Sequence, residues 1–459
     1  VSAMFRSLSG YNYRLWFIGA LVSNVGTWMQ STTQSWVVLT DLTHNDAVAV
    51  GVTMSLQFGP QLLLVPVSGW IADRFDRRKI LLCTQSALAL LGLSLGLLLL
   101  LGTPQLWHIY LFALMLGLIN AIDAPARQTF VSDLVSEHNM SNAVALNAAS
   151  FNAARMIGPA VAGLLIVAVG SGWVFVINAF TFLAMIFVLS KLRLEEMRTR
   201  PKRAATGRGQ LSGGFRYVAA HPDLVVIFAI VLLIGAFGLN FPIFSSTMAV
   251  EFGRGAGEYG ILSSILAIGS LTGALLAARR ARARLRVVIL SAGGFGIAAA
   301  ICAVMPTYAS FAAATILLGF TSVSMLTTAN GYVQTTTEPG MRGRVMALYM
   351  AILMGGTPIG APVMGAIANT WGPRWALGIA GAISVVACLI GMAWMVIARD
   401  MRIRRHPDSA WRLRVTHLSS PDEPEPVEFS DELAATAPIT LPKLPKPGPQ
   451  PPKGTPPTP

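Results

Sequence analysis

Twelve runs of about 20 predominantly apolar residues divide this 459-residue chain, and no other feature limits its fold so strongly. Leu88–Leu101, for example, contains only Leu, Ala, Gly and Ser. A segment crossing about 30 Å of hydrocarbon must satisfy its own backbone groups, which leaves helices or a closed barrel. The runs show none of the period-two alternation of barrel strands. The reading is therefore an all-α membrane protein of about twelve transmembrane helices. Composition agrees, with 54% hydrophobic and 12% charged residues, where soluble domains carry about a quarter charged.

The formal charge of +13 would suit nucleic acid if it formed a patch. Here Lys and Arg lie in short loops between the runs, so no nucleic-acid partner is expected. Cys83, Cys302 and Cys388 each fall inside an apolar run without paired spacing and read as packing residues. No metal cluster, phosphate-binding loop or nucleophile–base set stands out, so neither an enzyme, a cofactor nor an ATP-driven pump is expected. No cleavable leader precedes the first run, which is expected to act as the insertion signal.

The runs lie at 13–38, 47–72, 80–101, 106–130, 142–169 and 173–190, then at 223–250, 257–278, 286–305, 309–333, 345–369 and 375–398. Arg74, Arg77, Arg78 and Lys79 follow the second run, a basic stretch from Lys191 to Arg216 the sixth, Arg279–Arg286 the eighth, and Arg342 and Arg344 the tenth. The alternate loops hold only Arg254 and Arg374, although Asp133 and Glu137 make the 4–5 loop acidic. Positive charge favours the cytoplasmic side, so both termini and the middle loop are expected there, in a bacterial inner membrane. The expected organisation is a six-helix half (1–190), a cytoplasmic linker (191–222), a second six-helix half (223–398) and a tail (399–459). Met401–Arg414 is basic enough to lie on an anionic leaflet. From Pro421 on, Pro, Glu and Lys dominate and disorder is expected.

An ungapped shift of 202 residues aligns Gly117 with Gly319, Ala145 with Ala347, Gly158 with Gly360, Gly163 with Gly365, Gly170 with Gly372 and Trp173 with Trp375. Six crossings restore the orientation of the chain, so the halves read as parallel repeats.

Gly69-Trp70-Ile71-Ala72-Asp73-Arg74-Phe75-Asp76-Arg77-Arg78-Lys79 resembles the signature between the second and third helices of the major facilitator superfamily. The resemblance implies two six-helix halves, a substrate near the midplane between them, and a cytoplasmic gate of Gly69, Asp73, Arg74, Arg77 and Arg78. Asp73 would then meet the N-terminal end of the eleventh helix near Gly343 and Arg344, where a carboxylate is favoured. The family's second Gly is Asp76 here, and the matching turn Ala277–Arg286 lacks both Gly and Asp. Gly158-Pro159-Ala160-Val161-Ala162-Gly163 resembles the family's antiporter motif, although small residues also simply pack helices. Gly26–Gln30, Asp123–Phe130, Asn142–Asn147 and Ala153–Pro159 look like the enterobactin-exporter and macrolide-efflux branch; this likeness covers roughly residues 5 to 400. The superfamily's fourth-helix Arg is Ala113.

Ionisable groups in hydrocarbon are costly unless they face a cavity or a partner. Asp123, Arg127 and Arg155 are thus the proton-coupling candidates. Asp123 is read equally as a proton carrier or as half of a pair with Arg127, one turn on, or with Arg77 and Arg78. Arg155 pairs with Asp123 or binds an anionic substrate group. Asn24, Thr27, Ser31, Gln34 and Ser35 share one face of the first run beside Trp28, and lipid would leave them unsatisfied. Phe237, Asn240, Phe241 and Phe244, with Thr321, Ser324 and Thr328, complete a cavity lining on this reading. The expected activity is efflux of a drug or siderophore-like amphipathic compound by proton antiport through alternating access, in a monomer. An uptake permease and a non-transporting receptor are the alternatives.

Overall fold

The computed structural model describes residues 3–64, 67–68, 71, 74–197, 210–279, 283–398, 401–405 and 413–417. Twelve crossings are present among them. The first half comprises Tyr11–Trp36 (α1), Ala47–Leu63 (α2), Arg77–Leu101 (α3), Leu106–Leu134 (α4), Glu137–Val169 (α5) and Ser171–Lys191 (α6). Gln210–Ala220 (α7) lies in the connecting segment. The second half comprises Pro222–Leu233 (α8) continuing as Phe241–Glu251 (α9), then Ala256–Ala278 (α10), Leu285–Val304 (α11), Tyr308–Thr336 (α12), Arg342–Trp371 (α13) and Pro373–Ala398 (α14).

Ten of these helices are long and apolar enough to cross a membrane by length and composition. The described part of α2 is shorter, and the polar face of α1 dilutes its apolar character. Several helices overrun the hydrocarbon: α5 has 33 residues and α13 has 30, about 45–50 Å at 1.5 Å per residue.

Local chemistry sets the ends. Asp46 caps α2 by accepting from the backbone N–H of Val48 at 2.8 Å and Ala49 at 3.3 Å. Asp76, where the superfamily has Gly, caps α3 in the same way through Arg78 and Lys79. The departure from the family pattern thus supplies an N-cap. Gly170 and Gly372 close α5 and α13 at φ +89° and +94°, a conformation that costs a side-chain-bearing residue energy. They are 202 positions apart, so the repeat extends to its caps.

Two crossings are locally π-helical: Val37–Leu42 prolongs α1, and Ile234–Gly238 joins α8 to α9. The second ends in a break at Leu239 and Asn240 ahead of Pro242. Asn240 Nδ2 donates to the Ala236 carbonyl at 2.5 Å, satisfying an acceptor that the break would orphan.

The first half packs around Tyr13, Trp16, Phe130, Met185 and Leu189 near the end bearing the α2–α3 turn. We call this the basic end and the opposite one the far end. Tyr13 donates its hydroxyl to the Ala143 carbonyl at 2.7 Å, fixing α1 to α5. In the expected linker the chain is helical at Gln210–Ala220. In the expected tail, Met401–Arg405 pairs antiparallel with Leu413–His417, so local backbone pairing forms in the basic stretch ahead of Pro421. The segment from Pro421 on lies outside the described residues.

Candidate functional site

The two halves meet at the far end along two matching helix pairs, α2 with α13 and α5 with α10. Each pair is closed by backbone against backbone. A Cβ on Gly51 would stand 2.5 Å from the Ala361 carbonyl oxygen, and one on Gly163 would stand 2.7 Å from that of Ala256. Gly260 meets the Pro159 carbonyl, and Gly365 that of Ala47, more closely still. Hydroxyls then cross the same interfaces: Ser55 Oγ donates to Pro358 O and Ser264 Oγ to Met156 O, both at 2.6 Å. Met156 and Pro358 are again 202 positions apart, as are Pro159 and Ala361. The Trp36 ring stacks on Tyr259 at 5.6 Å, and Asn369 Nδ2 donates to Asp46 Oδ1 at 2.6 Å, adding two more ties between the halves.

Toward the basic end the same helix faces come apart. On α5, residues 145, 148 and 149 continue the face that carries Met156, Pro159 and Gly163, yet they are exposed. Phe151 beside them is 47% exposed. On α13 the stripe of Ala347, Met350 and Met354 below Pro358 is exposed in the same manner. The cleft between halves is sealed at the far end and open at the basic end.

The first half holds charge in its interior. Asp123 on α4 is 4% exposed. Its Oδ1 accepts from Thr84 Oγ1 at 2.6 Å and Gln85 Nε2 at 2.8 Å, both on α3, and its Oδ2 accepts from Arg127 Nε at 3.1 Å. Arg127 reaches on to Asn24 Oδ1 at 3.4 Å and Ser23 Oγ at 3.5 Å on α1. The structure therefore joins Asp123 to Arg127, one turn away. Arg155 is separate: its guanidinium lies 5.6 Å from the centroid of the Trp28 ring, and no carboxylate pairs with it among the described residues.

Of the gate residues, Gly69 and Asp73 lie outside the described residues. Arg77 Nη1 contacts both carboxylate oxygens of Asp133 at 2.9 Å, and Arg78 Nε donates to the Leu189 carbonyl at 2.8 Å. Both arginines thus brace α3 against α4 and α6 within the first half. Arg74 stands at the entrance to the same turn.

Gly158, Pro159 and Gly163 have a concrete placement. Gly158 admits Val25 and Trp28 of α1, while Pro159 and Gly163 face α10. The repeat does the same: Gly360 admits the Ala236 backbone, and Gly365 faces α2.

In the cavity lining, Asn24 and Ser31 are half-buried, while Gln34 is 2% and Asn240 0% exposed. Gln34 Nε2 and Asn240 Oδ1 find no hydrogen-bond partner among the described residues. Phe237 is half-buried and Phe241 buried near the break. Thr328 is buried and donates to Ser324 O at 2.7 Å, and Ser324 Oγ faces Gly273 of α10 at 3.3 Å. Ser324 thus ties α12 to α10.

Sequence reasoning passed over Thr84 and Gln85. Two adjacent polar residues in an otherwise apolar run were the available signal. The Gln30–Asn178 side-chain pair between α1 and α6 was likewise unforeseen.

Across residues 2–416 the sequence matches the family described as transmembrane secretion effector. It is 26% identical over 357 residues to the enterobactin exporter EntS of Shigella flexneri, covering 77% of this chain and 84% of that protein. It is 27% identical over 395 residues to the staphyloferrin A transporter of Staphylococcus aureus, covering 85% and 97%. The fold is similar to the nucleoside transporter NupG, with a TM-score of 0.65 at 13% identity over 83% of this chain and 98% of that one. It is similar also to a D-xylose–proton symporter, with a TM-score of 0.66 at 12% identity over 83% and 96%.

Proposed function

The chain belongs to the transmembrane secretion effector family, a branch of the major facilitator transporters, and from that premise we propose that it exports a small amphipathic compound, drug-like or siderophore-like, by proton antiport. The observation that carries the reading is the cleft: closed by the paired seams at the far end and open at the basic end, with the Asp123–Arg127 pair buried inside the first half that forms one of its walls. Basic loops favour the cytoplasmic side, so the cleft loads from the cytoplasm. Alternating access then opens the seams and closes the basic end as the halves rock about the site. The half-buried amides and aromatics of α1 and the α8–α9 break suit an amphipathic cargo. One chain completes both halves of the cleft, which supports a monomer acting in a bacterial inner membrane with both termini inside.

Proton coupling is assigned to Asp123. The carboxylate is satisfied by three donors when charged, and neutralising it releases Arg127 toward Asn24 and Ser23 on α1. That changes the tie between α1 and α4, two neighbouring helices of the first half.

The test is counterflow in energised proteoliposomes holding the full chain, with a panel of drugs and siderophores offered on either side and internal pH recorded. Substrate leaving the loading side while protons move oppositely supports the reading. Substrate moving with the protons identifies an uptake permease, and binding without flux identifies a receptor.

A further inference from the structure

Among the described residues, only three formal charges lie inside the crossings away from helix ends: Asp123, Arg127 and Arg155. Asp123 and Arg127 neutralise each other at 3.1 Å. Arg155 is left over, so among the described residues the interior of the crossings carries one uncompensated positive charge. The second half offers nothing to balance it, because the repeat places Met325, Ala329 and Thr357 at the three corresponding positions.

Arg155 also faces the right way. On α5 its direction falls among those of residues 148, 151 and 152, on the face opened by the parting of the halves, just below the point where Pro159 meets α10. The side of α5 turned from the cleft carries Ile157 and Leu164, 43% and 70% exposed, as a lipid face requires. Trp28 holds the guanidinium by its ring and is itself held edge-to-face by Phe151 at 5.8 Å. Gly158 lets the α1 backbone come close enough to keep Trp28 there. A guanidinium stacked on a ring keeps its in-plane N–H donors available, and no acceptor among the described residues takes them.

We propose that Arg155, positioned by Trp28, is the subsite for an anionic oxygen group of the cargo, a carboxylate or an ionised phenol, with the cargo's flat apolar part against Trp28 and Phe151. The inference rests on the transport reading above and narrows its substrate class to organic anions. A charge-assisted hydrogen bond at a desolvated site is worth enough to set affinity about 10- to 100-fold above that of a neutral isostere.

The experiment measures equilibrium binding to the full chain in lipid nanodiscs with three probes of one skeleton: naphthoate, naphthamide and a naphthalenediol. Naphthoate is expected to bind about 10- to 100-fold more tightly than naphthamide. Arg155→Gln is expected to bring naphthoate down to the affinity of naphthamide, and Arg155→Lys to restore part of the preference. A diol preference at alkaline pH, lost in the same variant, assigns the site to ionised phenols; a preference confined to naphthoate assigns it to carboxylates. Equal binding of acid and amide by the unaltered chain overturns the proposal, as does an acid preference that survives Arg155→Gln. Trp28→Leu gives a second reading, because it removes the ring and keeps the charge; acid preference is expected to fall without vanishing. Since binding is read without flux, absence of transport in proteoliposomes would defeat the exporter reading and leave this result standing by itself.

Discussion

The hydroxyl of Ser264 on α10 donates to the carbonyl oxygen of Met156 on α5, 2.6 Å across the boundary between the two halves. Ser55 repeats the bond to Pro358 on the other side. Each bond crosses the closed seam between the halves, and a hydrogen bond of this kind contributes about 1 kcal/mol. Ser264→Ala is expected to move the equilibrium toward far-end-open by about fivefold, with Ser55→Ala adding a similar factor. Spin labels at Asp41 and Thr370, both exposed at the far end, report the change as a longer distance population. An unchanged distribution in the double variant would remove these bonds from the gating balance.

Gly260 tests the backbone contact itself. A Cβ there meets the Pro159 carbonyl oxygen too closely for any real side chain, whereas one on Gly378 meets nothing within 4 Å. Gly260→Val should express and insert but fail to close the far end, with transport lost. Gly378→Ala should transport normally. Normal turnover by the Gly260 variant would mean that the seam does not need this approach.

Arg127→Gln leaves the buried Asp123 carboxylate without its cation, a change that typically costs about 3–5 kcal/mol. Adding Asp123→Asn removes the charge and should recover most of that loss. Thermal unfolding in nanodiscs reads both; equal midpoints for the single and double variants would show that the pair is not coupled in stability.

Asp123→Asn by itself should abolish proton-driven export while sparing folding and energy-independent binding, because an amide can fill the place of the carboxylate beside Thr84 and Gln85. Export against a gradient by this variant would move the coupling role to another residue.

The fold was legible because each crossing is its own apolar run and the 202-residue shift survives without gaps. The pairing of Asp123 with Arg127 could be read from their four-residue spacing, but the choice among Arg77, Arg78, Arg127 and Arg155 as partner could not. That choice depends on which helix face each arginine occupies, and Arg77 and Arg78 are taken by Asp133 and the Leu189 carbonyl. Glycine spacing in the fifth run was visible as a motif, yet its division of labour was hidden: Gly158 serves α1, and Gly163 serves α10. The break at Asn240 depends on a π-helical offset that residue types alone do not announce. Asp76 looked like a lapse from the family pattern until its carboxylate was seen capping α3.

The closest approaches in the far-end seams are main chain against main chain, with glycine on one side and a carbonyl on the other. Those approaches depend on where the backbones stand and not on which side chains line the cleft beneath them. The wall of the cleft at Asn24, Trp28 and Arg155 is therefore free to be rewritten for new cargoes without altering how the seams close. Diversification of the transported compound and preservation of the moving parts become separate tasks, assigned to different residues of the same helices.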